Sequence, residues 1–516
     1  MKHLTYASNS KKWEQTAEII FYLLVFAAIA CFAMLQTYGD PPDEINRFKV
    51  VKYIWNYGSL PHGADPEVIL NGYGASYAFQ PILTYMIQGF LLRLLGIFTA
   101  DGYVLLLTAR MVNVFFGVIM AYFVLRIAKE AWKNPYIQWT FTLLVVFLPQ
   151  NIFIHSYVNT DSMAMLSVAI IFYVLLRARR TGYDRKDCIL LSVGIILCAM
   201  SYYNAYGIIL AAILIFVISF INAGGASSRT GNGKKGKRMA LTVEWREMLR
   251  KGSLISVIVL LGIGWWFIRN AVLYEGDMIA MNARLECAIE TAAPEYNPLT
   301  RFTYQKSGTP LEEMLFETGY VTLLRDSFIA MFGPMMIPTH GLIYIFYKYL
   351  WIITCAMALL PVNKRNGINT PSAWAENGEW GRKNKVIFYI CMTLFCIVTV
   401  ALSIYYSYTW EFQPQGRYIL PVLIPFMYLV TSGVRKICVL AERIQIRACK
   451  PQRSEEAGTD ENRTVLYAGN ILGKVLCLGI MAYVMLSFAY SLFDRFIPHY
   501  LQGENMLSMY GKIFVM

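Results

Sequence analysis

Long apolar stretches recur along the whole chain, and they constrain its fold more than any other feature. About 20 apolar residues are needed to cross a bilayer as a helix. Stretches of about that length, some a few residues shorter, lie near 18–36, 103–125, 136–154, 161–176, 187–201, 205–222, 252–271, 341–362, 386–405, 418–434 and 468–492. Inside lipid, only helices and closed barrels satisfy every backbone polar group, and runs this long specify helices. The expected fold is therefore an all-α polytopic membrane protein of about eleven transmembrane helices. Composition agrees: 57% of residues are hydrophobic, 15% are charged and mean hydropathy is +0.44. Soluble domains average about 45–50% apolar and about 25% charged. The first run, 19–35, lacks a cleavage site and is followed by many others, so it reads as a span rather than a leader. Ten cysteines without a C-x-x-C spacing support neither a disulfide framework nor a zinc site.

Charge sets the orientation. The run 81–98 is long enough to cross but carries Gln88 and Arg93. If it stays at the interface as a juxtamembrane or re-entrant helix, six basic segments share one side: the N-terminus, 126–133, 177–186, 229–251, 364–385 and 435–463. Together these hold 31 of the 46 Lys and Arg. If it crosses, five of the six move outside, against the positive-inside rule. The N-terminus is therefore expected in the cytoplasm and the tail from Asp494 outside. The formal charge of +13 then reflects topology, and the basic run 231–238 is an orientation signal, not a nucleic-acid patch. Stretches 223–233, 363–384 and 450–463 read as flexible loops. No internal repeat is evident, which disfavours an inverted-repeat transporter.

This orientation leaves two large outer loops, 37–102 and 272–340, on a single domain covering 1–516, with no soluble domain after the last span. In the first loop, Pro41-Pro42 stop the preceding helix and Asp43-Glu44 open a new one. Ile45, Phe48, Val51 and Ile54 recur at helical spacing, with Arg47, Lys49 and Lys52 assigned to the opposite face. The pattern reads as an amphipathic helix lying on the membrane. Asp43 and Glu44 are either helix-capping acids or a catalytic carboxylate held just above the bilayer. A Tyr/Gly stretch through Tyr77 leads to Gln80-Pro81 and the second interfacial helix. Asn159 and Asp161 open a later span at the same depth, either as helix-start residues or as oxygen ligands for a sugar. Arg269, Arg325 and Arg417 stand at outer span ends, where arginines either snorkel or serve a function. Their planar forks suit phosphate.

Taken in order, these landmarks resemble the GT-C superfamily of integral membrane glycosyltransferases, which includes protein O-mannosyltransferases and lipid A aminoarabinose transferases. The resemblance runs from about Tyr22 to about Tyr428. It rests on Pro-Asp43-Glu44, Gln80-Pro81, Pro149-Gln150 through Asn159-x-Asp161, Trp-Trp-Phe-Ile-Arg269-Asn270 and Gln-Gly-Arg417-Tyr. It implies transfer of a sugar from a polyprenyl-phosphate-linked donor to an acceptor hydroxyl of a glycan, lipid or protein on the extracytoplasmic face, with inversion. Asp43 would be the general base and Glu44 would hold the acceptor or support the loop. Asn159, Asp161, Arg47, Arg269, Arg325, Arg417, Tyr77 and Gln80 would line the substrates. Relatives often carry His shortly after the Asp-Glu pair; Arg47 in its place would either alter substrate positioning or add a further phosphate contact. No cofactor is expected; a divalent metal at Asp43 and Asp161 is conceivable but not favoured, because the second site reads Asn-x-Asp. The rival readings are an oligosaccharide ligase or polymerase using a diphosphate carrier, and a lipid or sugar transporter. A transporter would place its polar sites near the membrane midplane, whereas these cluster at the outer boundary.

Overall fold

The structure is a computed structural model that describes residues 2–229, 235–360, 382–448 and 460–501. Part of the basic run 231–238, nearly all of 363–384, most of 450–463 and the tail beyond 501 lie outside those residues. In chain order the helices are α1 (Lys2–Leu35), α2 (Glu44–Tyr57), α3 (Leu83–Leu95), α4 (Gly102–Ala131), α5 (Pro135–Val146), α6 (Pro149–Ile154), α7 (Asp161–Thr181), α8 (Arg185–Ala199) and α9 (Gly207–Ser219). A hairpin of β1 (Ile221–Arg229) and β2 (Lys235–Val243) precedes α10 (Trp245–Leu273), α11 (Met281–Thr291), α12 (Leu311–Phe316) and α13 (Tyr320–Ile329). The two-residue strands β3 (Met331–Phe332) and β4 (Ile337–Pro338) lead to α14 (Gly341–Leu359), α15 (Arg382–Thr409), α16 (Leu423–Ala448), α17 (Asp460–Tyr490) and α18 (Ile497–Leu501).

Among the described residues, eight helices are long and apolar enough to cross a membrane, and each coincides with one of the eleven stretches. The other three stretches fall on shorter helices. Stretch 136–154 is divided into α5 and α6 because Pro149 has no N–H to continue the ladder and forces Leu148 into an extended conformation. Stretches 187–201 and 205–222 coincide with α8 and α9. Helix α3 has 13 residues, a length of about 20 Å against a hydrocarbon core of about 30 Å, so it is too short to cross. Part of the expected flexible loop 223–233 is instead the first strand of an antiparallel ladder that pairs Ile221 with Val243.

Helices α4 and α7 form the centre, α4 against α1, α3, α5 and α7, and α7 against α8 and α9. Helix α16 packs on α14, α17 and α5. By contrast α10, α14 and α15 turn large apolar side chains outward, including Leu261, Leu342 and Leu402, as lipid-facing helices do. Beneath the first loop, Phe32, Phe153, Phe332 and Phe496 meet edge to face or tilted, closing the bundle at the end where α1 stops and α7 begins.

Helix α2 corrects the sequence reading. Glu44, Arg47, Phe48, Val51 and Ile54 all face inward, against α3 and α4, while Ile45 is exposed. By 3.6-residue spacing Arg47 lies on the same face as Phe48 and Val51. Charge alone sorts Arg47 to the polar face, but a buried counter-charge, Asp161, receives it.

Arg110, on α4, ties the first loop to the bundle, a role that the apolar pattern around it does not reveal. Its Nε and Nη2 donate to Glu44 at 2.8 and 2.5 Å. Its Nη1 donates to the carbonyls of Ala33 and Gln36, both at 2.8 Å, where α1 ends and needs partners for its last carbonyls. Glu44 also accepts from the Val158 N–H at 3.0 Å, so one buried ion pair joins α1, α2, α4 and the turn before α7. Replacing Arg110 by Met leaves Glu44 buried and unpaired, which costs about 3–5 kcal/mol. Arg110→Met is expected to lower the unfolding temperature of the detergent-solubilised protein clearly, and Glu44→Gln to lower it less. Unchanged unfolding of Arg110→Met contradicts this account.

Candidate active site

The turn that presents Asp43 is strained in an informative way. Pro41-Pro42 break the chain after α1, and Asp43 takes a left-handed conformation with φ of 62°. This conformation costs a non-glycine residue about 1–2 kcal/mol, though Asp tolerates it better than most. Asp43 occupies the N-cap position of α2, yet its side chain makes no capping bond. The carboxylate does not bind the first N–H groups of the helix, and the capping reading does not describe it.

Instead it meets Arg417. Nη2 of Arg417 donates to Asp43 Oδ2 at 2.5 Å and to the Tyr418 hydroxyl at 3.0 Å, and Nη1 donates to the Pro42 carbonyl at 3.3 Å. Local backbone packing fixes this arginine. Gly416 donates its N–H to Ser327 Oγ at 2.7 Å, and a Cβ on Gly416 would lie 2.1 Å from the Phe328 backbone nitrogen. Only glycine allows the chain to pass α13 so closely and place Arg417 beside Asp43.

A second pair adjoins the first. Arg47 Nη1 donates to Asp161 Oδ2 at 2.8 Å, and its Nη2 lies 4.0 Å from Asp43 Oδ2. The Arg47 guanidinium therefore stands between the two carboxylates, 5.2 Å from the centre of the Tyr77 ring. With Glu44 and Arg110, three acids are matched by three arginines at one level of the fold. Arg47, Asp161 and Arg417 are buried, whereas the Asp43 side chain keeps 32% of its exposure. Several buried polar atoms here have no hydrogen-bond partner: Nε of Arg47, Nε of Arg417, Oδ1 of Asp161 and the Tyr157 hydroxyl. Tyr157 is within the electrostatic reach of Arg417, Asp161, Arg47 and Asp43.

Burial, the largest influence on Asp43, pushes its pKa up. The Arg417 and Arg47 guanidiniums, with hydrogen bonds from Arg417 and Tyr77, more than offset it and hold the carboxyl at about 2. Burial, reinforced by Asp43, raises the Tyr77 phenol well above its ordinary value, so it remains a neutral donor.

The other candidates lie elsewhere. Asn159 is wholly engaged in the turn before α7: Nδ2 donates to the Ile154 and Tyr157 carbonyls, and Oδ1 accepts from the N–H and hydroxyl of Ser162. Arg269 donates to the Pro61 carbonyl at 2.7 Å and lies over Trp266, fastening the first loop to α10. Arg325 pairs with its neighbour Asp326. Gln80 ends the short 3₁₀ turn Tyr77–Phe79 through its backbone N–H. A cavity of about 290 Å³ lined by Tyr183, Phe220, Lys251 and Phe388 lies at the opposite end of α7 from Asp161 and takes no part in this cluster. Arg110 and Tyr157 escaped the sequence reading. Arg110 left a signal, as a charge inside the apolar stretch 103–125; Tyr157 left none among 35 tyrosines.

Residues 59–426 match the family described as "Predicted membrane protein (DUF2142)". The chain belongs to that family, and the matched segment contains Tyr77, Asp161 and Arg417 but begins after Asp43. No curated protein matches the sequence. Among solved structures it is similar to ArnT from Cupriavidus metallidurans bound to undecaprenyl phosphate, at 10% identity and a TM-score of 0.46, over 97% of this chain and 78% of that one. It is also similar to the arabinosyltransferase EmbB from Mycobacterium smegmatis, at 9% identity and 0.42, over 92% of this chain and 41% of that one. The archaeal oligosaccharyltransferase AglB from Archaeoglobus fulgidus matches at 11% and 0.39, over 89% and 56%. The chain thus spans about half the length of the last two.

The low pKa of Asp43 has a direct consequence for stability. A carboxyl held at about 2 in the fold, against about 3.9 when unfolded, adds stability above pH 4 that disappears as pH falls towards 2. Between pH 4 and 2 the wild type should lose unfolding temperature faster than Asp43→Asn, which lacks this group. Parallel loss in the two proteins contradicts the Arg417–Asp43 pair.

Proposed function

We propose that the protein is a membrane glycosyltransferase that moves a sugar from a polyprenyl-phosphate carrier to an acceptor hydroxyl, with Asp43 as the general base. The observation that carries this reading is one accessible carboxylate flanked by two arginines that have buried N–H groups to spare. The Asp43 carboxylate accepts the proton of the acceptor hydroxyl as its oxygen attacks the anomeric carbon. The bond from that carbon to the phosphate oxygen breaks, its electron pair leaves with the phosphate, and the configuration inverts. Arg417 and Arg47 offset the charge that develops on the departing phosphate, and the Tyr157 hydroxyl is a third donor in their midst. Arg417 cannot serve phosphate and Asp43 fully at once. As it turns to the phosphate, Asp43 is released towards its ordinary carboxylate range and becomes a stronger base. Glu44 acts at a distance, since Arg110, Val158 and the turn hold both its oxygens.

We read this end of the bundle as extracytoplasmic, a reading supported by the concentration of Lys and Arg in the loops assigned to the other side. We read the reaction as metal-independent, because Arg47 stands between the carboxylates of Asp43 and Asp161, where a divalent ion would otherwise bridge them.

Three measurements test this reading. Asp43→Asn should lower transfer by about 10²–10⁴-fold in membranes supplied with radiolabelled carrier-linked sugar, leaving carrier binding intact. Near-normal transfer removes Asp43 as the base. Arg417→Ala should weaken binding of undecaprenyl phosphate by about tenfold or more, the loss expected for one charged hydrogen bond; unchanged affinity removes Arg417 from the phosphate site. Transfer should persist in EDTA, and its abolition would overturn the metal-independent reading.

A further inference from the structure

A second cationic site lies in the other outer loop and has no use in the chemistry above. Arg301 follows α11 and lies over Trp410, its guanidinium carbon 3.7 Å from the ring centre. Its Nε and Nη2 are buried and have no hydrogen-bond partner. Arg284, on α11, and Glu411 are close enough for their charges to act on Arg301. Yet among the described residues no carboxylate forms an ion pair with either arginine. Burial lowers the Arg301 pKa and Arg284 lowers it further, while Tyr406 and Glu411 offset this only in part. Leaving buried donors unsatisfied beside a second cation is costly in a resting protein. An incoming oxyanion would remove that cost.

The site also adjoins the first. Tyr73, from the first loop, packs tilted against Tyr296 with ring centres 4.2 Å apart, beside the 2.9 Å hydrogen bond from the Ala293 N–H to the Gly72 carbonyl that joins this loop to the segment leading to Arg301, and it is within electrostatic reach of both Asp43 and Glu411. A ligand at Arg301 can therefore extend along Tyr73 towards the carboxylate. Arginine stacked on tryptophan also suits a group that presents both an anion and a sugar face.

We propose that Arg301 and Arg284, on the Trp410 shelf, form the acceptor subsite and select an acceptor saccharide bearing an oxyanion, either carboxylate or phosphate. This rests on the transferase reading and assigns to that site the class of its acceptor.

The test uses the full chain in detergent micelles and ligand-observed saturation-transfer NMR with three probes: a methyl glucuronide, a hexose monophosphate and the neutral methyl glucoside. At least one charged probe should bind about tenfold more tightly than the glucoside, and the better one identifies the oxyanion. Arg301→Gln should abolish that preference without lowering the unfolding temperature, and undecaprenyl phosphate binding should stay unchanged. Added undecaprenyl phosphate should not displace the charged probe. Equal binding of charged and neutral probes, or no binding by a protein that still takes up undecaprenyl phosphate, overturns the subsite. Displacement by undecaprenyl phosphate overturns it too, by assigning Arg301 to the carrier. A protein that binds neither carrier nor saccharide fails the transferase reading itself.

Discussion

The buried ion pair between Arg110 and Glu44 is the interaction on which the rest depends. An arginine at membrane depth needs anionic or carbonyl partners, and here it finds both. The carbonyls it binds are those that α1 leaves unsatisfied at its end, and the carboxylate it binds is the first residue of α2. Helix termination, loop direction and charge burial are thus met by one side chain. The arrangement fixes where α2 starts, and therefore where Asp43, one residue earlier, must stand.

The site above it follows from proximity. Asp43 and Arg47 are four residues apart across the start of α2, Asp161 opens α7, and Arg417 enters beside α13 on a glycine that permits backbone contact. Three segments distant in sequence therefore bring alternating charges to one level. Each carboxylate has an arginine, yet both guanidiniums of the open pairs keep an unused N–H. A site arranged in this way balances its charges when empty and leaves donors unused, ready for an added phosphate.

Much of the fold was legible in the sequence, because bilayer thickness imposes one length scale on every span. Eight of the stretches are long helices, and α3 is short although its run looked long enough to cross. The break at Pro149 was also present in the sequence, but the apolar run around it concealed the helix end. The site was legible in part. Asp43, Arg47, Asp161 and Arg417 were singled out and do meet. Arg269, Arg325 and Asn159 looked the same in sequence and instead bind Pro61, Asp326 and the turn before α7. What separates these groups is whether a carbonyl or carboxylate is already nearby, and only the tertiary fold determines that. Charge points Arg47 to the wrong face of α2 against its helical spacing, because its counter-charge lies more than a hundred residues away in sequence.

We propose that this end of the bundle is built around a lipid-linked phosphate. Native mass spectrometry of the gently purified protein addresses it most directly. The account predicts an adduct of polyprenyl-phosphate mass, with or without a sugar, whose occupancy falls in Arg417→Ala. A clean, lipid-free protein that also fails to take up added undecaprenyl phosphate would contradict it.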